Sequence, residues 1–366
     1  MRILHTVESF CPVIGGMQEV VKQLSTRLAS RGHSVTVATQ FHADRLQSCW
    51  TNLRIEPFNL SGNYVLGIRG SQNEIKRYQE FLVNSDFDVV TNFAAQQWAT
   101  DLALPVLRSI PSVKVFVPTG FSALYRKEYR EYFVKMKSWM RDYDMNVFHS
   151  DAYRDFRFAQ ENGINRIIVI PNGAAADDFL SHDVESARKQ LRIPSDEFLI
   201  LLVGTHTGLK GHTEAIRILQ FARINNACLV IVGAAPSRPR NPSNFARTLV
   251  TTLFPSKPLG DCYLSCRLRQ AFFHHLPSSR SDGKRLILAQ LSRRQIISIY
   301  KEADLFLFPS RLETSPLVLY ECLASRTPFL VPYQKNNLVL FTKVSDIRGV
   351  HQQRERIPRW HHLFVL

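Results

Sequence analysis

No apolar run in this 366-residue chain approaches the roughly 18–20 residues that a membrane-spanning helix needs, so helical bilayer crossing is excluded. The opening residues MRILHTVES lack the charged, apolar and small-residue regions of a secretory signal, and the expected compartment is the cytoplasm. Neither the triple-glycine dinucleotide fingerprint nor the P-loop pattern occurs, so the sequence gives no support for NAD or ATP binding, and no cofactor is expected. There is no tandem repeat, no low-complexity tract, and no helix-turn-helix, RNP-type or finger motif. Cysteine is sparse and scattered: Cys11, Cys49, Cys228, Cys262, Cys266 and Cys322. In a chain without an export signal these are expected to be free thiols. Cys262 and Cys266 form one C-x3-C pair, and its spacing to His274 and His275 matches no standard zinc finger. The expectation is two thiols on one helix face and no metal.

Acidic residues are also short, 31 against 46 Lys and Arg, for a net charge of +15. The surplus is local. Residues 238–294 hold 11 basic against 2 acidic side chains and residues 333–366 hold 6 against 2, which accounts for +13 of the +15. Such patches are surface features rather than properties of a fold. Anionic lipid headgroups, nucleic acid or no specific partner could meet them. Without a recognition motif beside them nucleic acid is not expected, and peripheral contact with the inner face of a membrane is the partner reading kept.

The length suits two α/β lobes of about 150–200 residues, each with its own core. The first 40 residues read strand, glycine-bearing loop, amphipathic helix, strand: RILHTV, CPVIGG, MQEVVKQLSTRLASRG, SVTVAT. Further strands are expected at LRIEPFNL, DVVTNF, VKVFV, MNVFHS and RIIVI, with helices at NEIKRYQEFLV, QWATDLALPVLRSI and RKEYREYFVKMKSWMRDY. A second series follows: FLILLVG, a helix over 211–226, CLVIVG, RLILAQ, a helix through 296–302, DLFLFPS, a helix over 315–325, and PFLVP. This alternation predicts two doubly wound parallel sheets. The Pro171-Asn172-Gly173 turn is where the rhythm restarts, so the expected divisions are residues 1–170, 171–332, and an atypical tail at 333–366.

Three constellations carry chemistry. Gly15-Gly16 lies between the first strand and first helix, where backbone N–H groups can meet an anion. In VGTHTGLKGH, Lys210 stands near a helix N-terminus, a place suited to a diphosphate. In FPSRLETSPLVLYECLASRTPFL, Glu313 precedes a helix and Glu321 lies on it, so one carboxylate can meet a sugar ring and the other ribose hydroxyls. The amides of Thr314 and Ser315 are placed to receive phosphate oxygens.

In this order the Gly-Gly loop, V-I-P-N-G, V-G…K-G and A-D-L-F-L-F-P-S…E-x7-E…A-S-x-T-P resemble the family 4 glycosyltransferases of GT-B fold, over roughly residues 1–332. The resemblance implies two Rossmann-like lobes facing across a cleft, acceptor lobe first and nucleotide-sugar donor lobe second. It implies that Gly16 faces the donor diphosphate, Lys210 binds it, Glu313 acts at the sugar as the catalytic residue, and Glu321 holds the ribose. Transfer of a hexose from a UDP- or GDP-sugar would be retaining and metal-independent, with protein groups neutralising the leaving diphosphate. NFAAQQWATD and PTGFSALYRKEY look like a subgroup associated with bacterial surface polysaccharide assembly, with a glycan or lipid-linked acceptor. Asn92, Gln96, Gln97, Ser122 and Tyr125 are the polar residues available to line the acceptor side.

The chain departs from that family pattern in three places. Thr205 stands where an arginine commonly pairs with the lysine, leaving His206 or His212 as substitutes. Thr119 and Gly120 stand where a histidine is common. The segment 333–366 has no clean period and reads as a truncated or frame-altered tail. These departures motivate an alternative, a catalytically impaired binding or scaffold protein of the same fold. A nicotinamide-dependent oxidoreductase shares the two-lobe pattern but lacks its fingerprint.

Overall fold

The computed structural model describes residues 1–45, 52–84, 86–180, 185–233, 262–275, 283–310 and 313–332. The tail at 333–366 and most of the basic segment that starts at 238 lie outside the described residues. The chain divides into two compact units between Asn172 and Gly173.

In the first unit, β1 (Arg2–Thr6), α1 (Gly16–Ser30), β2 (Ser34–Gln40) and β3 (Leu53–Phe58) are followed by a short hairpin of β4 (Ser61–Asn63) and β5 (Gly67–Arg69). Then come α2 (Gln72–Asn84), β6 (Val89–Phe93), α3 (Trp98–Asp101), β7 (Val113–Val117), α4 (Arg130–Asp142), β8 (Met145–Phe148), α5 (Arg154–Glu161) and β9 (Ile167–Val169). Seven strands form one parallel sheet in the order β3-β2-β1-β6-β7-β8-β9. Both faces are covered, as parallel sheets require, and the period of two assigns the side chains. Ile3, Val35 and Val37 pack on the α1 side with Val21 and Ala29, while Leu4, Ala38 and Val90 pack on the other face with Tyr78, Trp98 and Phe116.

In the second unit, α6 (Ala176–Leu180) and α7 (Ala187–Gln190) precede β10 (Phe198–Val203), α8 (His212–Phe221), β11 (Ala227–Val232), α9 (Tyr263–Phe272), β12 (Arg285–Ala289), α10 (Arg293–Glu302), β13 (Leu305–Leu307), α11 (Leu317–Ser325) and β14 (Phe329–Leu330). Their parallel sheet has the order β12-β11-β10-β13-β14. Leu199 and Leu201 face one core with Val230 and Phe306, and Ile200 and Leu202 face the other with Ile216, Leu219 and Cys266. Buried Glu197 accepts two hydrogen bonds from Arg285, at 2.8 and 2.5 Å, tying the start of β10 to β12.

Several expected elements end elsewhere, each for a local reason. The helix expected over 97–110 breaks into α3 and a 3-10 turn, Leu104–Ser109, because Pro105 has no N–H to continue an α-helix. The helix expected over 211–226 stops at Phe221. There the ammonium of buried Lys284 donates to the carbonyls of Gln220 and Ala222 at 3.3 and 2.8 Å, satisfying helix-end acceptors with a favourable charge. The helix expected from 315 begins at Leu317 after Pro316. The β4–β5 hairpin has no strong alternation and was not anticipated.

Inside the first sheet, Asn92 is fully buried, donates to Thr6 Oγ1 at 2.6 Å and accepts from the Tyr143 hydroxyl at 2.8 Å. Tyr143→Phe keeps the ring stacked on Phe116 but orphans the Asn92 carbonyl. Denaturant unfolding should show a loss of about 1–2 kcal/mol with an unchanged m-value.

Burial pushes the His5 imidazole from its ordinary 6.5 down to about 4. The unfolded chain therefore takes up this proton first. Stability that is full at neutral pH falls as pH drops through 6.5, by at most about 1.4 kcal/mol per unit, and levels near pH 4. Asp101 and Asp155, raised by burial to about 6, act in the opposite sense between 3.8 and 6. The readout is thus a difference: the native chain should lose stability relative to His5→Asn as pH falls from 7 to 4.5, and parallel curves would contradict the assignment to His5.

Candidate functional site

Loops after neighbouring strands open a crevice where the order of a parallel sheet reverses. In the second unit that point lies between β10 and β13, since β11 and β12 continue to one side and β14 to the other. Lys210 follows β10 and Glu313 follows β13. The Lys210 ammonium donates to Glu313 Oε1 at 2.6 Å, and the hydroxyl of buried Ser310 donates to the same oxygen at 2.6 Å. An ammonium carries three donors, so this pairing positions Lys210 without exhausting it.

Two glycines make the approach possible. Gly211, with φ +75°, is the N-cap of α8, and a Cβ there would lie 2.4 Å from the Pro309 carbonyl oxygen. A side chain at this place is both strained and obstructed by backbone. Gly204, at the end of β10, lies under the Lys210 stem, where an added Cβ would meet the Lys210 Cβ and Cγ at 3.3 Å. The N-terminal turn of α8 is thereby brought beside the loop ahead of α11. Thr314 and Ser315 lie in that loop, and Ser315 Oγ is 3.2 Å from the Tyr320 hydroxyl.

Glu321 is buried on α11 and accepts a hydrogen bond from Arg293 Nη1. Arg293 also lies 3.5 Å from Asp178 and over the Phe179 ring. Arg293 and Ser310 were not singled out by the sequence: a basic residue at a helix start is common, and nothing local links it to a carboxylate 28 positions away. His206 and His212, the substitutes considered for the missing cation beside Thr205, are buried and stack on each other with centroids 4.4 Å apart. Their Nδ1 atoms lie 3.6 and 3.5 Å from the Cys262 sulfur. The hydrogen bond from Cys266 is the largest effect holding the Cys262 thiol below its usual range, against the opposing effect of burial.

In the first unit the reversal falls between β1 and β6. Gly16 is the first residue of α1, and Gln18 folds back to donate to Ser9 Oγ at 2.8 Å. Gln97 is buried: its Oε1 accepts from Glu8 N at 3.0 Å and its Nε2 donates to the Ala94 carbonyl at 3.2 Å. With Trp98 Nε1 donating to the Glu8 carbonyl at 3.2 Å, this stitches the β1 and β6 loops together. Asn92 and Gln97 thus have their polar atoms engaged inside the unit. Ser122 and Tyr125 are exposed, Ser122 donating to Gln96 Oε1 at 3.2 Å and Tyr125 lying under the Arg154 guanidinium at 5.8 Å. Asp155 accepts from Gly120 N at 2.7 Å and fixes the Thr119-Gly120 turn, where φ is positive at both residues.

A strand-order reversal in each of two Rossmann-like units invites comparison with known proteins. Residues 14–178 match the Glycosyltransferase Family 4 model. No curated protein sequence matches the chain. Solved structures are similar across both units, and the fold is that of GT-B glycosyltransferases. Sucrose-phosphate synthase from Thermosynechococcus elongatus is 16% identical with a TM-score of 0.65, over 90% of this chain and 80% of its own. WaaG, a glycosyltransferase involved in lipopolysaccharide biosynthesis, is 16% identical with a TM-score of 0.60, over 94% and 84%. Anabaena HepE in complex with UDP-glucose is 15% identical with a TM-score of 0.63, over 93% and 82%. Among the described residues no helix is long and apolar enough to cross a membrane.

The Arg293–Glu321 pair is testable apart from any ligand. Arg293→Met leaves a buried carboxylate without that partner, and urea unfolding should register a loss of about 2–4 kcal/mol, whereas Glu321→Gln, which removes the charge with little change of shape, should cost less.

Proposed function

We propose that this chain is a glycosyltransferase that moves a hexose from a UDP- or GDP-sugar to a hydroxyl of a glycan or lipid-linked acceptor, with retention and without a metal. The observation that carries the proposal is the Lys210–Glu313 pair at the β10/β13 reversal, between the starts of α8 and α11. A departing nucleoside diphosphate develops charge on its phosphate oxygens. Lys210 and the N-terminal amides of the two helices are the groups that would neutralise it, and being held before the reaction they need no reorganisation during it. In this reading Glu313, fixed by Lys210 and Ser310, receives the sugar hydroxyls. Glu321, held by Arg293, offers its carboxylate to the ribose, while Thr314 and Ser315 present amides to the phosphates. Gly16, the first residue of α1, offers a backbone N–H suited to phosphate oxygens, and Ser122 and Tyr125 are the exposed polar residues left for an acceptor. The match over residues 14–178 and the nucleotide-sugar complex of Anabaena HepE support the same substrate class.

Thr205 favours one other reading. This residue is exposed at the loop start and stands where an arginine commonly pairs with the lysine in the family that the sequence resembles, so a chain of the same fold could bind a nucleotide sugar without turning it over. Turnover separates the two: any transfer or donor hydrolysis that disappears in Lys210→Ala excludes the inert form. Isothermal titration with UDP, GDP and ADP tests the site itself. One uridine or guanosine diphosphate should bind, and Lys210→Ala should weaken it about 10–100-fold, the worth of a charged hydrogen bond. No binding by any of the three, with Glu321→Ala indistinguishable from the native chain, would end the proposal.

A further inference from the structure

The C-x3-C pair gains meaning from what the fold places against it. Cys262 caps α9 and Cys266 lies one turn later, so both sulfurs share a helix face. The loop between β10 and α8 comes to that face with two histidines. The ligand atoms of His206, Cys262 and Cys266 all lie within 4.8 Å of one another. His206 Nδ1 and His212 Nδ1 lie 3.6 and 3.5 Å from the Cys262 sulfur. In a tetrahedral zinc site, bonds of about 2.3 Å to sulfur and 2.0–2.1 Å to nitrogen put those two atoms about 3.5 Å apart. The two histidine-to-Cys262 spacings match that value.

The surroundings are organised in the same sense. The Nε2–H of His212 donates to the Gly204 carbonyl at 3.2 Å, which leaves Nδ1 as the atom with a lone pair turned toward the sulfur. An outer hydrogen bond of this type orients metal-bound imidazoles. Cys262 N donates to the His206 carbonyl at 3.1 Å, pinning the loop to the helix start, and Tyr263 packs edge-on against the His206 ring. Gly233 allows the close packing: a Cβ there would lie 2.3 Å from the Gly204 carbonyl oxygen and 3.2 Å from His206 Cδ2. Cys266, His206 and His212 are buried and Cys262 is half-buried.

We propose that His206, Cys262 and Cys266 bind a thiophilic divalent cation, zinc by ligand type, with His212 beside the fourth position. Two thiolates and an imidazole select zinc or a similar borderline-soft ion over magnesium or calcium. Binding releases the thiol protons to solvent and joins each sulfur to the ion. The ion would cross-link α9 to the loop that carries Lys210, a structural role in which it touches neither Lys210 nor Glu313. The inference does not rest on the transferase reading, since its readout is metal uptake.

The full chain, reduced and stripped with a chelator, is titrated with Co²⁺. About one equivalent should produce the intense d–d and sulfur-to-cobalt bands of a tetrahedral thiolate site. Zn²⁺ should bleach them, and Cys262→Ser and His206→Gln should each lose them while Cys11→Ser keeps them. Zn²⁺ should also raise the melting temperature of the stripped native chain, a measurement that needs no variant to fold. Absence of the bands in the reduced native chain, bands of undiminished intensity in Cys262→Ser or His206→Gln, or a melting temperature indifferent to Zn²⁺ would each overturn the proposal.

Discussion

The reversal of strand order beside β10 governs much of the second unit. Parallel strands send their connections to opposite faces of the sheet on either side of such a point, so the loops after β10 and β13 diverge and leave room between them. Lys210 and Glu313 fill the mouth of that space, 103 residues apart in sequence and 2.6 Å apart in the fold. Their approach depends on Gly211, because the backbone of Pro309 occupies the volume that any Cβ would need. A charge pair, a helix start and a glycine thus follow from one topological fact, and the first unit repeats the arrangement between β1 and β6 with Gln97 in place of an ion pair.

Charges taken into these cores come with partners. Glu321 meets Arg293, Glu197 meets Arg285, and Lys284 meets two carbonyls at the end of α8. Each pairing offsets a desolvation cost that an isolated buried ion would carry, and each also fixes where an element stops or which neighbour it faces. The buried Asn92, held by Thr6 and Tyr143, does the same with neutral groups. A polar residue that looks available in the sequence can therefore belong to the framework, as Asn92 and Gln97 do, while Ser122 and Tyr125 remain on the surface.

The loop between β10 and α8 is held from two sides. Lys210 is drawn to Glu313, and the two histidines flanking that stretch are drawn to the Cys262 sulfur on α9. The histidines that looked like substitutes for an absent arginine are buried, and what they face is the Cys262 sulfur. Thr205 is exposed at the start of the loop, and Lys210 is paired with Glu313.

The sequence by itself determined the strands of the two parallel sheets, because a residue's burial in a two-faced parallel sheet follows from an apolar run bounded by turn residues, and that pattern is local. It also determined the order of the motifs, the place where the rhythm restarts near Pro171, and the presence of Lys210, Glu313 and Glu321 at helix starts or on a helix. Element ends were less legible: Pro105 broke one expected helix, and Lys284 terminated another from 62 residues away. Only the tertiary structure decided which side chains meet. The pairing of Glu313 with Lys210, of Glu321 with Arg293, and of Cys262 with His206 depends on strand order and on which face each helix covers. Those are set by packing between segments distant in sequence, and local periodicity carries no record of them.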